Sequence, residues 1–217
     1  MNAPADTRLP ALPQGRLELR TLLAWLVEDG VLTAEEATRL AQRFGAGSSS
    51  LHPLVRLGGA GLVHAATSRA LDTEALTEWL AGRCRRPYLR IDPLRADVGR
   101  VAEVMSVKYA ESRRALPVQV GMGEVVIATA EPLDDAWVPE IEAHARRKVR
   151  LVVANPEDIL RYTTEFYSLA SSVRAAQKTG ETSATASFEQ LVELGKSNRQ
   201  LDANDQGVVQ VVDWLWQ

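Results

Sequence analysis

The chain has 217 residues, and its 25 Lys and Arg side chains nearly balance its 28 Asp and Glu side chains, which leaves a formal net charge of −3. That balance excludes the strongly basic composition expected of a general nucleic-acid-binding protein. A single cysteine, Cys84, excludes a disulfide framework, and every apolar run is far shorter than the ~20 residues of a membrane-spanning helix, so we expect a cytoplasmic chain without direct membrane insertion.

The first predicted structure is helical and occupies residues 16–86, after a Pro- and Ala-rich stretch, residues 1–15, that is predicted to be disordered. Apolar residues recur at helical spacing before Gly30, which is predicted to end the first helix because glycine tolerates left-handed backbone. Thr33 and Glu36 form a capping-box pattern that opens the next helix. These signals predict a helical hairpin.

A weaker copy of this hairpin pattern follows. Residues 32–37 align with residues 71–76, and the apolar pair Leu40-Ala41 then falls on Trp79-Leu80. Two copies favour a duplicated helical hairpin over a solenoid, which normally needs at least three repeats. Chance similarity over so short a match is the open alternative.

Over residues 87–167 the pattern changes to strands that alternate with helices. The predicted strands are residues 88–91, 116–120, 124–130 and 149–154, and the second and third form a hairpin. The predicted helices are residues 97–114 in two pieces, 134–147, and a helix that begins at Asn155-Pro156 and ends near Tyr167. The predicted fold class is α+β, a helical-hairpin subdomain followed by a small sandwich-like α+β domain and a linker.

The rest of the chain has linker composition and then resumes a helical pattern. Residues 168–200 are rich in Ser, Thr and Ala and are predicted to be a flexible linker. Residues 201–217 are predicted to begin a further domain, whose first helix covers residues 208–217 without a stop signal. We therefore expect the sequence to be part of a longer polypeptide.

The sequence contains no recognisable catalytic constellation. Gly195-Lys196-Ser197 resembles the end of a phosphate-binding loop, but the glycine required five positions earlier is replaced by Gln190. We therefore expect no enzymatic activity from this chain and no resident metal or cofactor.

Two basic clusters and the single cysteine allow more than one interpretation. Residues 83–86 and 146–150 could bind phosphates or acidic protein, or be solvated ends of helices. Cys84 lies between arginines that could lower the pKa of its thiol, or it is an ordinary packing residue. The packing and solvation interpretations are favoured in both cases.

A family resemblance rests on an ordered set of segments. Residues 87–94, Pro-Tyr-Leu-Arg-Ile-Asp-Pro-Leu, resemble the opening of the N-terminal domain of the type II secretion and type IV pilus assembly ATPases. Residues 128–134 resemble the turn that follows its strand hairpin, with Glu131 in place of an aspartate. Residues 149–167 continue the match, and residues 201–209 are similar to the entry into the second N-terminal domain.

The resemblance implies a bacterial motor whose ATPase core lies beyond Gln217. The parent protein is then a homo-hexamer that uses ATP and Mg²⁺ at the cytoplasmic face of the inner membrane. The present chain is predicted to be its non-catalytic docking and regulatory region. Its implied partner is the cytoplasmic domain of an inner-membrane platform protein, of either the secretion or the pilus system.

The resemblance also implies an alternative function, a cyclic di-GMP sensor that controls the same ATPase. Some family members bind this ligand through two copies of a motif that begins Arg-Leu-Gly and continues to a further glycine. Gly30 matches that glycine, and Arg56, Leu57 and Gly58 form the one literal Arg-Leu-Gly, about one helical turn too early. These four residues are the candidate ligand-binding residues, because arginine pairs with phosphate and glycine admits close approach.

Overall fold

The computed structural model describes residues 13–45 and 49–180. Its helices are α1 Leu19–Glu28, α2 Ala34–Gly45, α3 Pro53–Gly58, α4 Thr73–Arg83, α5 Val101–Val104, α6 Val107–Arg113, α7 Val138–Ala145 and α8 Pro156–Gly180. Its strands are β1 Leu62–Val63, β2 Ala70–Leu71, β3 Ala115–Val120, β4 Glu124–Thr129 and β5 Lys148–Val153. The α+β prediction is confirmed.

The described residues up to Ser171 belong to one compact unit, and a second unit begins at Ser172. Of the second unit, the structure describes the end of α8. Predictions for residues 1–12, for residues 181–200 of the linker and for residues 201–217 lie outside the described residues. Within the described ranges, no helix combines the length and the apolar character that crossing a membrane requires.

The first helical hairpin forms as its local signals predict. α1 buries one face, formed by Leu22, Leu23, Trp25 and Leu26. Gly30 has a φ of +67° in the turn after α1, the left-handed conformation that favours glycine. The capping box at the start of α2 is reciprocal: the Thr33 N–H donates to Glu36 Oε2 (3.0 Å), and the Glu36 N–H donates to Thr33 Oγ1 (3.2 Å).

The second helical pair, α3 and α4, matches the first only in part. Asp72 aligns with Thr33 and caps α4 in the same way, because its Oδ1 accepts from the Ala75 N–H (2.8 Å). Between α3 and α4, however, the chain forms a two-stranded antiparallel ribbon of β1 and β2 that the sequence did not predict. The duplication of the hairpin stays a prediction.

The main sheet has the strand order β3-β4-β5. β3 and β4 form the predicted antiparallel hairpin, and β5 pairs parallel to β4 after the connection through α7. Alternation predicts Leu116, Val118 and Val120 on one face, but the pairing register shifts between Pro117 and Gln119. This bulge inserts one residue, so Val120 packs on the opposite face from Leu116 and Val118.

Helices cover both faces of the sheet. One face packs against the residues around Ile91 and against α8, through Ile159, Phe166 and Ala170. The other face packs against α5, α6 and α7. A separate apolar cluster fills the helical part of the chain.

Three predicted elements differ in extent from the observed ones. Tyr88 forms a single bridge with Val153 in place of a strand over residues 88–91, because the chain then leaves β5 and buries Ile91. The helix predicted from residue 134 begins at Val138, with Pro139 in its first turn, where the missing N–H of proline costs no helical hydrogen bond. α8 continues beyond Tyr167 to Gly180, because small residues such as Ala also favour helix.

Candidate functional site

The candidate cyclic di-GMP residues lie in two places of the helical part. Gly30 lies in the α1–α2 turn, whereas Arg56, Leu57 and Gly58 end α3. The Arg56 guanidinium donates to the carbonyl oxygen of Phe44 and lies 5.0 Å from the centroid of its ring. Leu57 is fully buried, and Gly58 approaches the start of α4 too closely to accommodate a side chain. The α3 residues thus have packing roles, and their ligand role stays a prediction.

A buried carboxylate joins the helical part to the α+β part. Glu131 is 1% exposed, and its Oε2 accepts from the Leu17 N–H (2.8 Å) while its Oε1 accepts from Arg114 Nη1 (2.8 Å). The Nε2 atom of His52 lies 3.5 Å from the same Oε1. We call Glu131, Arg114 and His52 the junction cluster. It connects the segment before α1, the start of α3 and the end of α6 through one side chain.

Local backbone structure positions Glu131 and Arg114. Glu131 lies just after β4, and its N–H donates to Thr129 Oγ1 (3.0 Å). Arg114 follows α6 with a φ of +48°, and its carbonyl oxygen accepts from the Ala130 N–H (3.0 Å). Because β3 and β4 are paired here, the two side chains meet at one end of the hairpin.

His52 caps α3 and is neutral. Its Nδ1 accepts from the Leu54 N–H (3.2 Å), so the neutral ring carries its proton on Nε2, toward Glu131. Burial, together with the charge of Arg114, lowers the pKa of His52 to about 3. The contact with Glu131 is therefore not an ion pair at pH 7, and Nε2 has no hydrogen-bond partner in the described part of the chain.

The charge of Glu131 is balanced by Arg114. Burial raises the pKa of Glu131, while the hydrogen bond from Leu17 and the guanidinium of Arg114 oppose that rise. A buried carboxylate that loses its cation is strongly destabilising, so this pair makes the junction cluster dependent on both residues.

We expect His52 to make the fold sensitive to acid. The unfolded chain binds a proton at His52 below pH 6.5, whereas the folded chain does so only near pH 3, so acid favours unfolding between these values. Glu131 has the opposite effect on stability. Its pKa is raised in the folded chain, so as the pH falls the folded chain binds a proton at Glu131 before the unfolded chain does. Between pH 7 and pH 5, urea unfolding should show that the wild type loses about 1–2 kcal/mol more stability than His52→Asn, whose amide oxygen keeps the cap. Equal losses would contradict this assignment.

Further contacts hold the helical and α+β parts together. Glu74 of α4 accepts from the Tyr88 hydroxyl and from Asn155 Nδ2 (2.8 Å). Tyr88 bridges to Val153 at the end of β5, and Asn155 follows that strand. Arg86 donates to Asp135 Oδ2 (2.6 Å) from the segment after α4. The two parts are therefore connected at several points besides the junction cluster.

The basic clusters are engaged by carboxylates. Arg83 pairs with Glu28 and Asp29 across the helical part, and Arg150 donates to Glu124 Oε1 (3.0 Å) on the neighbouring strand. These pairs neutralise much of the charge that a phosphate would need. The structure thus favours the structural interpretation of both clusters.

Cys84 is a packing residue, as predicted. It belongs to the apolar cluster of the helical part, and burial raises the pKa of its thiol to about 11 although the charges of Arg86 and Arg83 oppose that rise. The thiolate that reactive cysteines use is therefore disfavoured.

An open groove with a volume of about 390 Å³ lies between α3, α6 and α8. We call it the α3–α8 groove and define it by Leu51, Val55, Glu111, Glu157 and Leu160. Leu51 is 56% exposed and Leu160 is 68% exposed, so two large apolar side chains meet solvent at one concave surface. Such a surface is typical of a binding site.

The sequence signals for the junction cluster were weak. His52 precedes Pro53 at a helix start, a pattern that suggests a cap but no partner. Glu131 follows an apolar strand, and its role as the acceptor for Leu17 depends on a contact across 114 positions of sequence. No local pattern predicts such a contact.

Residues 84–173 match the sequence model of the MshEN domain. A curated relative, the type IV pilus assembly ATPase TfpB of Acinetobacter baylyi, is 35% identical over 153 residues, which are 70% of this chain and 26% of TfpB. The chain therefore spans about a quarter of the length of this relative.

Two solved structures are similar over 70% of this chain. A structure of MshE with cdg has 19% identity, a TM-score of 0.46 and complete coverage of that chain. A structure of the N-terminal domain of XpsE has 18% identity, a TM-score of 0.42 and 97% coverage. These sequence matches confirm the resemblance to the N-terminal region of the secretion and pilus assembly ATPases, and residues 84–173 are similar to the MshEN domain.

Proposed function

We propose that this chain is the docking and regulatory region of a secretion or pilus-assembly motor ATPase, which it couples to the inner-membrane assembly platform. The observation that carries the proposal is its 35% identity to the pilus assembly ATPase TfpB over a part that makes up only 26% of that protein. The match to the MshEN domain, at residues 84–173, overlaps that similarity.

The junction cluster supports a mechanical role. A coupling element transmits force only if its parts move together, and Glu131 ties the segment before α1 to the end of the β3–β4 hairpin. Glu74 adds a second connection between α4 and the residues that flank β5. We infer that the helical part and the MshEN domain act as one stiff piece.

In this proposal the parent protein is a homo-hexamer at the cytoplasmic face of the inner membrane. ATP and Mg²⁺ belong to an ATPase core outside the present 217 residues, and the partner of this chain is the cytoplasmic domain of a platform protein. The platform holds the chain while ATP turnover moves the rest of the motor.

The proposal is tested by measuring the affinity of the 217-residue chain for the cytoplasmic domain of the platform protein encoded in the same genome. We expect binding by calorimetry that is unchanged when ATP and Mg²⁺ are added, because the docking residues are separate from the nucleotide site. No binding would reject the docking function, and ATP hydrolysis by the chain alone would reject its non-catalytic role.

A cyclic di-GMP sensor is the second proposal, and the Arg56-Leu57-Gly58 sequence on α3 supports it. A ligand phosphate would have to draw Arg56 away from the carbonyl oxygen and ring of Phe44. Calorimetry with cyclic di-GMP should give heat with the wild type and none with Arg56→Ala, while Arg43→Ala, the other arginine over the same ring, should retain binding. Absence of heat with the wild type rejects this proposal.

A further inference from the structure

We propose that the α3–α8 groove is the docking surface itself, and that it receives an amphipathic helix of the partner whose apolar face is flanked by Lys or Arg. This inference rests on the proposed docking function and names the surface and the chemistry of the partner. It is carried by the apolar exposure and by the unbalanced negative charge of the groove.

Two exposed leucines give the groove its apolar surface. Leu51 precedes α3 and Leu160 lies on α8, and both line the groove although they are 56% and 68% exposed. A single exposed leucine is normal, whereas two that share one concave surface make that surface a candidate interaction site. Val55 contributes a third apolar side chain to the wall between them.

The size of the groove indicates what enters it. A volume of about 390 Å³ lies near the lower end of the ~300–1,000 Å³ that is typical of binding pockets. A groove of this size takes the few side chains that one helix presents at positions i, i+3, i+4 and i+7, the usual pattern of recognition by a helix in a groove.

Charge determines which helix fits. The groove is lined by Glu111 and Glu157, and neither forms an ion pair with any residue in the described ranges. The two arginines that line it, Arg114 and Arg161, are each paired with a carboxylate of this chain. The charge left for a partner is therefore negative, which favours Lys and Arg beside the apolar face of the incoming helix.

The first experiment uses a probe that does not depend on the platform protein. Two fluorescent helical peptides carry the same leucine face at i, i+3, i+4 and i+7, one with flanking lysines and one with flanking glutamates. Fluorescence anisotropy with the full 217-residue chain should show binding of the lysine peptide at least tenfold tighter than binding of the glutamate peptide. Equal binding, or no binding of the lysine peptide, would overturn the proposal.

Substitutions then locate the surface. Leu160→Glu should weaken binding of the lysine peptide at least tenfold, whereas Leu94→Glu, at a leucine that is 94% exposed outside the groove, should change it less than twofold. The double variant Glu111→Lys with Glu157→Lys should also weaken binding at least tenfold and reduce its dependence on salt. Thermal unfolding should confirm that Leu160→Glu is folded, since this side chain is mostly exposed.

The same variants separate this proposal from the docking function. If the wild type binds the platform domain and both groove variants bind it equally well, the groove is rejected and docking stands. If the wild type does not bind the platform domain, docking is rejected and the peptides alone decide the groove. Two results would show a different occupant and overturn the proposal. If light scattering gives a lower molecular mass for Leu160→Glu than for the wild type, a second copy of the chain occupies the groove. If removal of residues 181–217 increases the affinity for the peptide, a segment of this same chain occupies it.

Discussion

Glu131→Ala is expected to lower the free energy of unfolding by about 3 kcal/mol, because Arg114 and the Leu17 N–H both lose their acceptor in a buried site. The figure lies near the lower end for a broken buried pair, since the Arg114 side chain is 30% exposed and water can solvate it in part. Urea unfolding at pH 7 measures the change.

Two further variants make this expectation specific. Glu131→Gln keeps an acceptor for the Leu17 N–H but removes the charge. Its free energy of unfolding should therefore lie between that of the wild type and that of Glu131→Ala. Glu165→Ala removes a glutamate from the exposed side of α8 and should change stability by less than about 0.5 kcal/mol. If Glu131→Ala also changes the free energy of unfolding by less than about 0.5 kcal/mol, the junction cluster does not hold the helical part and the α+β part together.

Hydrogen exchange distinguishes loss of the junction from loss of overall stability. In Glu131→Ala we expect faster exchange at the Leu17 N–H, which then has no acceptor. Amides of β4, which is paired on both sides in the centre of the sheet, should exchange faster only by the factor that the measured loss of global stability allows. An increase at the Leu17 N–H no larger than the increase in β4 would contradict a localised role.

Gly58→Ala is the second large expected effect, with a loss of about 3 kcal/mol. A Cβ atom at Gly58 would lie 2.4 Å from the backbone nitrogen and 2.8 Å from the Cα of Thr73, so α3 and α4 would have to separate. Overpacking of this kind typically costs about 1–3 kcal/mol, and contact with backbone in place of a flexible side chain favours the upper end.

Gly82→Ala is the matched control for this prediction. Nothing lies within 4 Å of a Cβ added at Gly82, which is helical in α4, so alanine should stabilise the fold by up to about 1 kcal/mol. Thermal unfolding of both variants should therefore give shifts of opposite sign. Two shifts of the same sign would contradict the close approach of α3 to α4.

The Gly58 prediction also affects how the cyclic di-GMP proposal is tested. Gly58 was selected from sequence as a ligand residue, but its lack of a side chain is already required by Thr73. Loss of ligand binding in Gly58→Ala would therefore follow from damage to the helical part alone. Arg56 is the better probe, because its guanidinium is polar and its partner Phe44 is only half-buried.

Elements whose causes are local can be predicted from the sequence. The apolar stripe of α1, the capping box of Thr33 and Glu36 and the cap of α8 at Asn155 all depend on residues within about four positions of one another. The C-terminal end of α8 and the sheet bulge were not predicted. The bulge depends on tertiary structure, because the side on which Val120 packs is decided by the pairing with β4.

The sequence by itself determined the α+β composition of this protein, most of its helices and strands, and its resemblance to secretion and pilus ATPases, because short-range patterns and ordered motifs are carried by neighbouring residues. Tertiary structure alone decided that Glu131 accepts from Leu17 and Arg114, and that Leu51 and Leu160 share a groove. The physical reason is separation along the chain. Packing brings together residues that no local preference connects, and the proposed docking surface is made of such residues.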